Sequence, residues 1–330
     1  MANEVEKFNA IAIADIEKIN GFEDDDIEKL NGLEFEGVPP IVLQKGILAF
    51  GSGRWSPTGV SNLVSNVGVV ATDTAAVGAA RSGPGGAEYG TGTAIFAFGN
   101  TGVMVSTSNL VNTSGVIGSD VTGVGTARYN LGGAAYGGDK AIFAYGYGTS
   151  EVNTRNLVNN SGVVASDAAG AGTVRSNLKA TQYGADTAIF GYGYYYTTKT
   201  NLCNNVGVVA ADVAGVGTAR TSLGACSFAA PAVTQGIFVY GHTGYVATAV
   251  SNIVNTSGVV SADVSGVGTA RQFPGGCEYG LDKGILGYGY AAWPTMWGKT
   301  NLVSNVGVVA SDGSAIGTAR YNPAGSSYGT

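Results

Sequence analysis

The chain has 330 residues with a net charge of −6, and 54 of its residues are glycine while only 12% are charged; average globular chains hold roughly 7% glycine and roughly 25% charged residues. That composition means many turns and few ionic surfaces, and with no apolar run near the roughly 20 residues of a membrane helix, and acids where a signal peptide has a basic start, it argues against membrane insertion and classical secretion. Residues 1–45 carry 11 acids and 4 bases, residues 46–330 carry 12 and 13, and neither part clusters Lys and Arg as phosphate contacts require, so nucleic acid is excluded as a partner.

The acidic leader, residues 1–45, comes first. It repeats an "I-E-K-I/L-N-G" core in "IADIEKINGF" and "DDDIEKLNGLEF". Each copy reads as a short amphipathic helix stopped by Asn-Gly, with Asp24–Asp26 favouring the second helix's N-terminus. Pieces this short need a partner to be stable, and "EGVPP" then serves as a stiff linker.

The body, residues 46–330, is built of repeats. Arg81, Arg128, Arg175, Arg220, Arg271 and Arg320 recur at intervals of 45 to 51. Eight residues before each stands an aspartate: Asp73, Asp120, Asp167, Asp212, Asp263 and Asp312. Eleven before that stands an asparagine, Asn62 in the first repeat and Asn301 in the last, and eight after each Arg comes Tyr or Phe. Each unit reads as four short strands: an apolar run such as "AIFAYG", a hairpin of the "RNLVNN" and "GVVASD" type around an Asn/Ser/Gly turn, and a strand such as "YNLGGAAYG". Four strands in about 47 residues is the arithmetic of a β-propeller blade. The first repeat lacks its "R…YG" strand and the chain ends in that strand alone, so an all-β, six-bladed ring closed by the C-terminal strand is expected. Small residues six after each Arg, among them Ala87, Cys226, Cys277 and Ser326, suit convergence near an axis. The three cysteines are an odd number at positions held elsewhere by Val, Ala, Thr or Ser, and read as small apolar fillers.

Asp and Arg eight apart flank the crossing between consecutive units, where they would pin it by charge-assisted hydrogen bonds. This is a structural role, since a catalytic group is needed once and not six times. The segment between each aromatic-Gly pair and the repeat Asn varies instead, from 7 to 11 residues. These segments hold all three tryptophans, the single histidine and both internal methionines. The candidate binding face is therefore Trp55, Met104, Tyr194, Tyr195, Tyr196, His242, Tyr245, Trp293 and Trp297, flat amphipathic surface for sugar rings or apolar side chains. The body has no metal-ligand cluster, nucleophile elbow or phosphate loop, so no catalytic residue, metal or cofactor is assigned and a non-enzymatic protein is expected. Glu88 and Glu278 share a repeat position near the axis, the one carboxylate pair that catalysis could use.

"GTARYNLGGAAYGGDKAIFAYGYG", Gly125 to Gly148, resembles the kelch repeat, with one of the paired glycines replaced by the aromatic of Phe50-Gly51, Phe98-Gly99, Tyr145-Gly146, Tyr192-Gly193, Tyr240-Gly241 and Tyr288-Gly289 and with the kelch Trp absent. The leader and the "TNLVSN.GVVA.D..GVGTAR" repeat are similar to structural proteins of tailed bacteriophages. That resemblance implies a virion component, assembled in the host cytoplasm: a fibre, appendage or decoration protein attached to other virion proteins through residues 1–40, whose aromatic loops contact a host-surface glycan or protein. The alternative it leaves is a purely architectural virion protein whose loops touch neighbouring capsid or tail proteins.

Overall fold

The computed structural model describes residues 44–329, apart from positions 76, 231, 232 and 245, together with six two-residue strands among the first 43 residues. Every regular element among these residues is a β-strand. Residues Gln44–Gly329 form one compact unit and Met1–Leu43, with Thr330, another.

The helices expected in the leader are replaced by hairpins. Lys7–Phe8 pairs antiparallel with Ile11–Ala12, Lys18–Ile19 with Phe22–Glu23, and Lys29–Leu30 with Leu33–Glu34. The second and third pairs enclose Asn-Gly, and a two-residue Asn-Gly connection is the strongest short-range hairpin signal, because its twist matches that of the flanking strands. The register sets Lys18 opposite Glu23 and Lys29 opposite Glu34. The remainder of the helical assignment and the "EGVPP" linker lie outside the described residues.

The larger unit holds six three-stranded antiparallel sheets and a small two-stranded one that pairs His242–Thr243 with Val246–Ala247. In sequence order their middle strands are Lys45–Ala49, Thr93–Asn100, Lys140–Tyr147, Thr187–Gly191, Val233–Val239 and Lys283–Gly287. On one side of each lies an inner strand: Gly85–Tyr89, Gly132–Tyr136, Lys179–Tyr183, Gly224–Ala230, Gly275–Tyr279 or Ala324–Tyr328. The last of these pairs with the first middle strand, Ser326 opposite Ile47, so one sheet is shared by the two ends of the unit. Each inner strand neighbours the next, and Ala324–Tyr328 neighbours Gly85–Tyr89. The middle strands are apolar on both faces because each sheet is covered by its two neighbours; Ile47, Ile95, Ile142, Ile189, Ile237 and Ile285 are all fully buried.

A second circuit runs through the backbone two residues after each repeat Arg. Asn130 N–H donates to Gly83 O, Asn177 to Asn130, Ser222 to Asn177, Phe273 to Ser222, Asn322 to Phe273 and Gly83 to Asn322, with distances of 2.6–3.2 Å. All six residues have left-handed φ angles between 54° and 62°, which is why four of the six are Gly or Asn, the types that, with Asp, reach this region most readily.

The fourth strand of each unit is not a continuous strand. It touches the sheet edge at isolated bridges, such as Val64↔Val70 and Ser61↔Thr74. Between those bridges the repeat asparagine takes over the ladder: Asn62 Nδ2 donates to Ala71 O at 3.0 Å and to Asp73 Oδ1 at 2.9 Å. The same two bonds recur at Asn109, Asn156, Asn201, Asn252 and Asn301. A side chain that bonds the edge in place of the backbone holds a segment flat against the sheet without continuous pairing.

That asparagine and its aspartate belong to a larger latch, and here the pairing differs from the one expected. Each Arg faces the Asp of the following repeat, not the Asp eight residues before it: Arg81–Asp120, Arg128–Asp167, Arg175–Asp212, Arg220–Asp263 and Arg271–Asp312 at 3.6–3.9 Å. Asp73 accepts from Thr318 N–H, beside Arg320, at 2.9 Å. The residues eight apart are joined by a crossing from one sheet to the next, and that crossing carries the Asp and the Arg into different sheets. All six arginines are buried.

Each guanidinium also lies over the ring of the preceding sheet's aromatic-Gly pair, 3.7–4.3 Å from the centroid, from Phe50 under Arg81 to Tyr288 under Arg320. Those six aromatic residues have φ angles of 62–68°, a conformation that costs an L-residue about 1–2 kcal/mol. Burying the ring contributes about 1.5–3 kcal/mol, and a desolvated cation–π contact up to about 2 kcal/mol. The gain exceeds the strain, so an aromatic holds a left-handed site that glycine would fill more easily. The following residue must be Gly: at Gly99, φ 122°, a Cβ would sit 2.9 Å from Arg81 Cδ.

Candidate functional site

The variable segments start where the backbone leaves this latch. The residue after each aromatic-Gly pair is bonded to the residue next to a repeat Arg: Ser52 with Tyr321, Asn100 with Ser82, Tyr147 with Tyr129, Tyr194 with Ser176, His242 with Thr221 and Tyr290 with Gln272. All six segments therefore spring from the edge of the unit that carries the circuit of left-handed residues.

The structure divides the candidate face into groups. Trp293, 53% exposed, stands edge-on to Tyr290 and Tyr321 with ring centroids 6.1 and 6.0 Å apart. Tyr290 stacks on Phe273 at 6.0 Å, and Tyr321 meets both Tyr290 and Phe273. Because Ser52 is bridged to both Tyr321 and Pro57, the loop bearing Trp55 is anchored beside this cluster. Trp55 is 82% exposed with the Arg54 guanidinium 4.6 Å above its ring. A second group joins Tyr194, Tyr195, Tyr196 and His242: Tyr194 and Tyr195 lie 4.7 Å apart, Tyr196 lies 5.6 Å from His242, and Tyr196 O–H donates to Gly244 O at 2.8 Å. His242 Nδ1 also donates to Gly244 O, and burial lowers the pKa of its ring. Trp297 stands apart under Lys299 Nζ at 5.0 Å, and Met104 ends the strand opposite Asn100. Tyr245 lies outside the described residues.

Phe273, Tyr290 and Tyr321 were not singled out from the sequence. Phe273 could have been found as an outlier, since Gly, Asn or Ser fills its repeat position in every other unit.

A separate site lies where the inner strands meet. Seven residues after each Arg come Glu88, Ala135, Gln182, Ser227, Glu278 and Ser327, and all six line a cavity of about 60 Å³. Ser227 Oγ donates to Glu278 Oε2 at 2.6 Å, and Gln44 Nε2 to Glu88 Oε2 at 3.3 Å. Burial pushes the Glu88 carboxyl up to about 7 and that of Glu278 up to about 8, the second raised further by the neighbouring Glu88 and Asp282. Cys226 and Cys277, which also line it, are free and buried, and burial holds Cys277 up at about 12, so both remain thiols. A smaller cavity of about 40 Å³ adjoins, sharing Gly86, Gly133, Ala180, Ala225, Gly276 and Gly325; Lys179 lines it, its pKa lowered by burial to about 8.

No family model matches the chain, and no curated protein matches it. Among solved structures it is similar to a fungal alcohol oxidase of the AA5 family, described as catalytically diverse and solved in complex with copper, at 12% identity and a TM-score of 0.54. The match covers 84% of this chain and 66% of that one, so the chain spans slightly less than two thirds of its neighbour's length. At this identity the likeness is one of fold. It nevertheless corrects the reading taken from resemblance: the neighbour is an enzyme and not a phage structural protein, so the assignments as a tailed-phage virion component and as a non-enzymatic protein are both withdrawn.

Copper of the neighbour's kind has no matching donors here. Copper sites draw on imidazole and soft sulfur ligands. This chain has one histidine, its Nδ1 already bonded, and its cysteines are buried thiols. Among the described residues no three His, Cys, Asp or Glu side chains gather to hold a metal. The residues present do not fit that group.

Proposed function

We propose that residues 44–329 form a six-bladed β-propeller whose loop face binds a hydroxylated ring ligand, a sugar or sugar-like alcohol, on the platform around Trp293. The cyclic order of the sheets, the terminal strand pairing and the circuit of backbone bonds support the propeller.

The observation that carries the binding reading is the Trp293 cluster. An indole 53% exposed is held upright by Tyr290 and Tyr321, with Phe273 behind them. Four aromatic rings fixed against one another lose little freedom on binding, and the free indole face offers flat surface of the kind that packs the apolar face of a sugar ring. Arg54 beside Trp55 and the tyrosine hydroxyls supply hydrogen-bond groups around it. Purely apolar side chains of a protein partner would leave those polar groups unpaired.

The test is tryptophan fluorescence during titration with a panel of mono- and oligosaccharides, with wild type, Trp293→Ala and Trp55→Ala. A saturable change lost in Trp293→Ala and weakened in Trp55→Ala is expected. Equal affinity in Trp293→Ala, at unchanged thermal stability, overturns the assignment of this platform.

A further inference from the structure

The shortest variable segment places three tyrosines in a row, Tyr194, Tyr195 and Tyr196, and turns at them. Tyr195 and Tyr196 have φ angles of 70° and 51°, and among the described residues no other two consecutive non-glycine residues are left-handed. Hairpin turns give such a pair of conformations to Asn-Gly, Asp-Gly or Gly-Gly, because a Cβ there crowds the following carbonyl. Bulky side chains are the least suited to it. At Phe50, Tyr145 and their equivalents the same strain is offset by a ring fully buried against a guanidinium. Tyr195 has no such offset: it is 67% exposed, and Tyr194, whose ring lies 4.7 Å away, is 42% exposed. Strain that packing does not offset gathers at ligand sites.

Tyr196 holds the turn in place. Its hydroxyl donates to Gly244 O at 2.8 Å and its ring meets His242 edge-on at 5.6 Å, which ties the segment to the loop of the next sheet. Tyr194 N–H donates to Ser176 O at 2.7 Å, and Tyr192 N–H to Lys199 O at 2.9 Å. A turn fixed at these points presents the Tyr194 and Tyr195 rings to solvent as a preformed pair, with little freedom left to lose on binding.

We infer that Tyr194 and Tyr195 seat a second ring of the ligand held at Trp293, so that the ligand is a sugar chain and not a single sugar. This rests on the platform proposed above. Tyr194 follows the middle strand Thr187–Gly191, His242 follows Val233–Val239, Trp293 follows Lys283–Gly287 and Trp55 follows Lys45–Ala49. The four sheets are consecutive neighbours, and aromatic residues therefore run along one arc of the loop edge. A chain that repeats a flat apolar face along its length meets such an arc at more than one point. Contacts joined through one chain act at a high effective concentration, so affinity rises with length, whereas a single sugar gains nothing from the second group.

The experiment is calorimetric titration of the full chain with glucose, galactose and N-acetylglucosamine and with their β-linked chains of two and six units. In at least one series the six-unit chain should bind at least about tenfold tighter than the two-unit chain. Tyr195→Gly should remove that gain and leave two-unit affinity unchanged, while Trp293→Ala should lower both. Glycine adopts a φ of 70° without strain, so Tyr195→Gly should melt no lower than wild type, which separates loss of a binding ring from loss of structure. Equal affinity for two and six units in every series, or the full gain with length in Tyr195→Gly, overturns the chain reading while two-unit binding that depends on Trp293 still stands. No isotherm with any of these sugars, or two-unit binding unchanged in Trp293→Ala, overturns the platform and the chain reading together.

Discussion

Replacing Arg175 by alanine removes one complete latch from the ring. Its guanidinium donates from Nε to Tyr192 O at 2.8 Å, from one terminal nitrogen to Thr173 O at 3.2 Å, and from the other to Asn201 Oδ1 at 2.6 Å, and it sits 4.3 Å over the Tyr145 ring. The ion pair with Asp212, at 3.9 Å and with that carboxylate partly exposed, contributes no more than about 0.5 kcal/mol. Most of the loss comes from the buried acceptors Tyr192 O and Asn201 Oδ1, each left unpaired at about 1–3 kcal/mol, with the lost ring contact in addition. The expected destabilisation is therefore about 4 kcal/mol, in the range for breaking a buried charged network. It is read by urea titration as a lower midpoint at unchanged slope. Lys199→Ala is the control: it deletes the other cation beside Asp212, at 3.0 Å but 43% exposed, and should cost under about 0.5 kcal/mol. A loss below about 1 kcal/mol for Arg175→Ala, or equal losses in the two variants, would refute the argument that burial and not charge pairing makes the latch strong.

Tyr145→Phe deletes a hydroxyl that donates to Ala171 O at 3.0 Å and should cost about 1 kcal/mol; Tyr145→Gly frees the left-handed φ but should destabilise more, because the buried ring and its guanidinium contact are lost. Two opposing pH effects are expected. Asp73, Asp167, Asp212, Asp263 and Asp312 have depressed pKa values, with hydrogen bonds from threonine and asparagine outweighing burial; their stabilisation is full above the unfolded value of about 3.9 and is lost as pH falls below it. Glu88 and Glu278 are raised by burial to about 7 and about 8, so stability should decline as pH rises from about 4.5 to 8, and Glu88→Gln with Glu278→Gln should flatten that slope in thermal scans. A truncation lacking residues 320–330 removes the strand paired with Lys45–Ala49; circular dichroism should show its cooperative melt abolished.

Much of the fold was legible because the repeat is regular: an Arg at intervals near 47 with fixed partners states the unit and its number. What could not be read was which copies touch. Arg128 and Asp120 are eight apart in sequence, but the crossing carries them into different sheets and the Arg meets Asp167; spacing along a chain does not report register across it. The leader misled for a local reason. "IEKLNG" has helical periodicity and a helix stop, while an Asn-Gly between two short apolar runs is equally a hairpin signal, and Lys29–Leu30 pairs with Leu33–Glu34 across it. The fourth strand was overread because "GVVASD" has strand composition, although its backbone meets the edge only at isolated bridges and Asn156 bonds it between them. At the sites, the tryptophans were visible as rare residues in variable segments, but Tyr290, Tyr321 and Phe273 acquire meaning only when the pairing of the chain's first and last strands brings distant units together. Gln44 carried no signal at all, since its amide matters only beside Glu88.

Amide hydrogen exchange of the native protein tests the ring most directly. If the two chain ends share one sheet and the six left-handed residues bond in a closed circuit, the amides of Ile47 and Ser326 should exchange as slowly as those of Ile142 and Ala134, and Gly83, Asn130, Asn177, Ser222, Phe273 and Asn322 should lose protection together. Faster exchange confined to Lys45–Ala49 and Ala324–Tyr328, with the inner units still protected, would mean an open array of sheets and would contradict it.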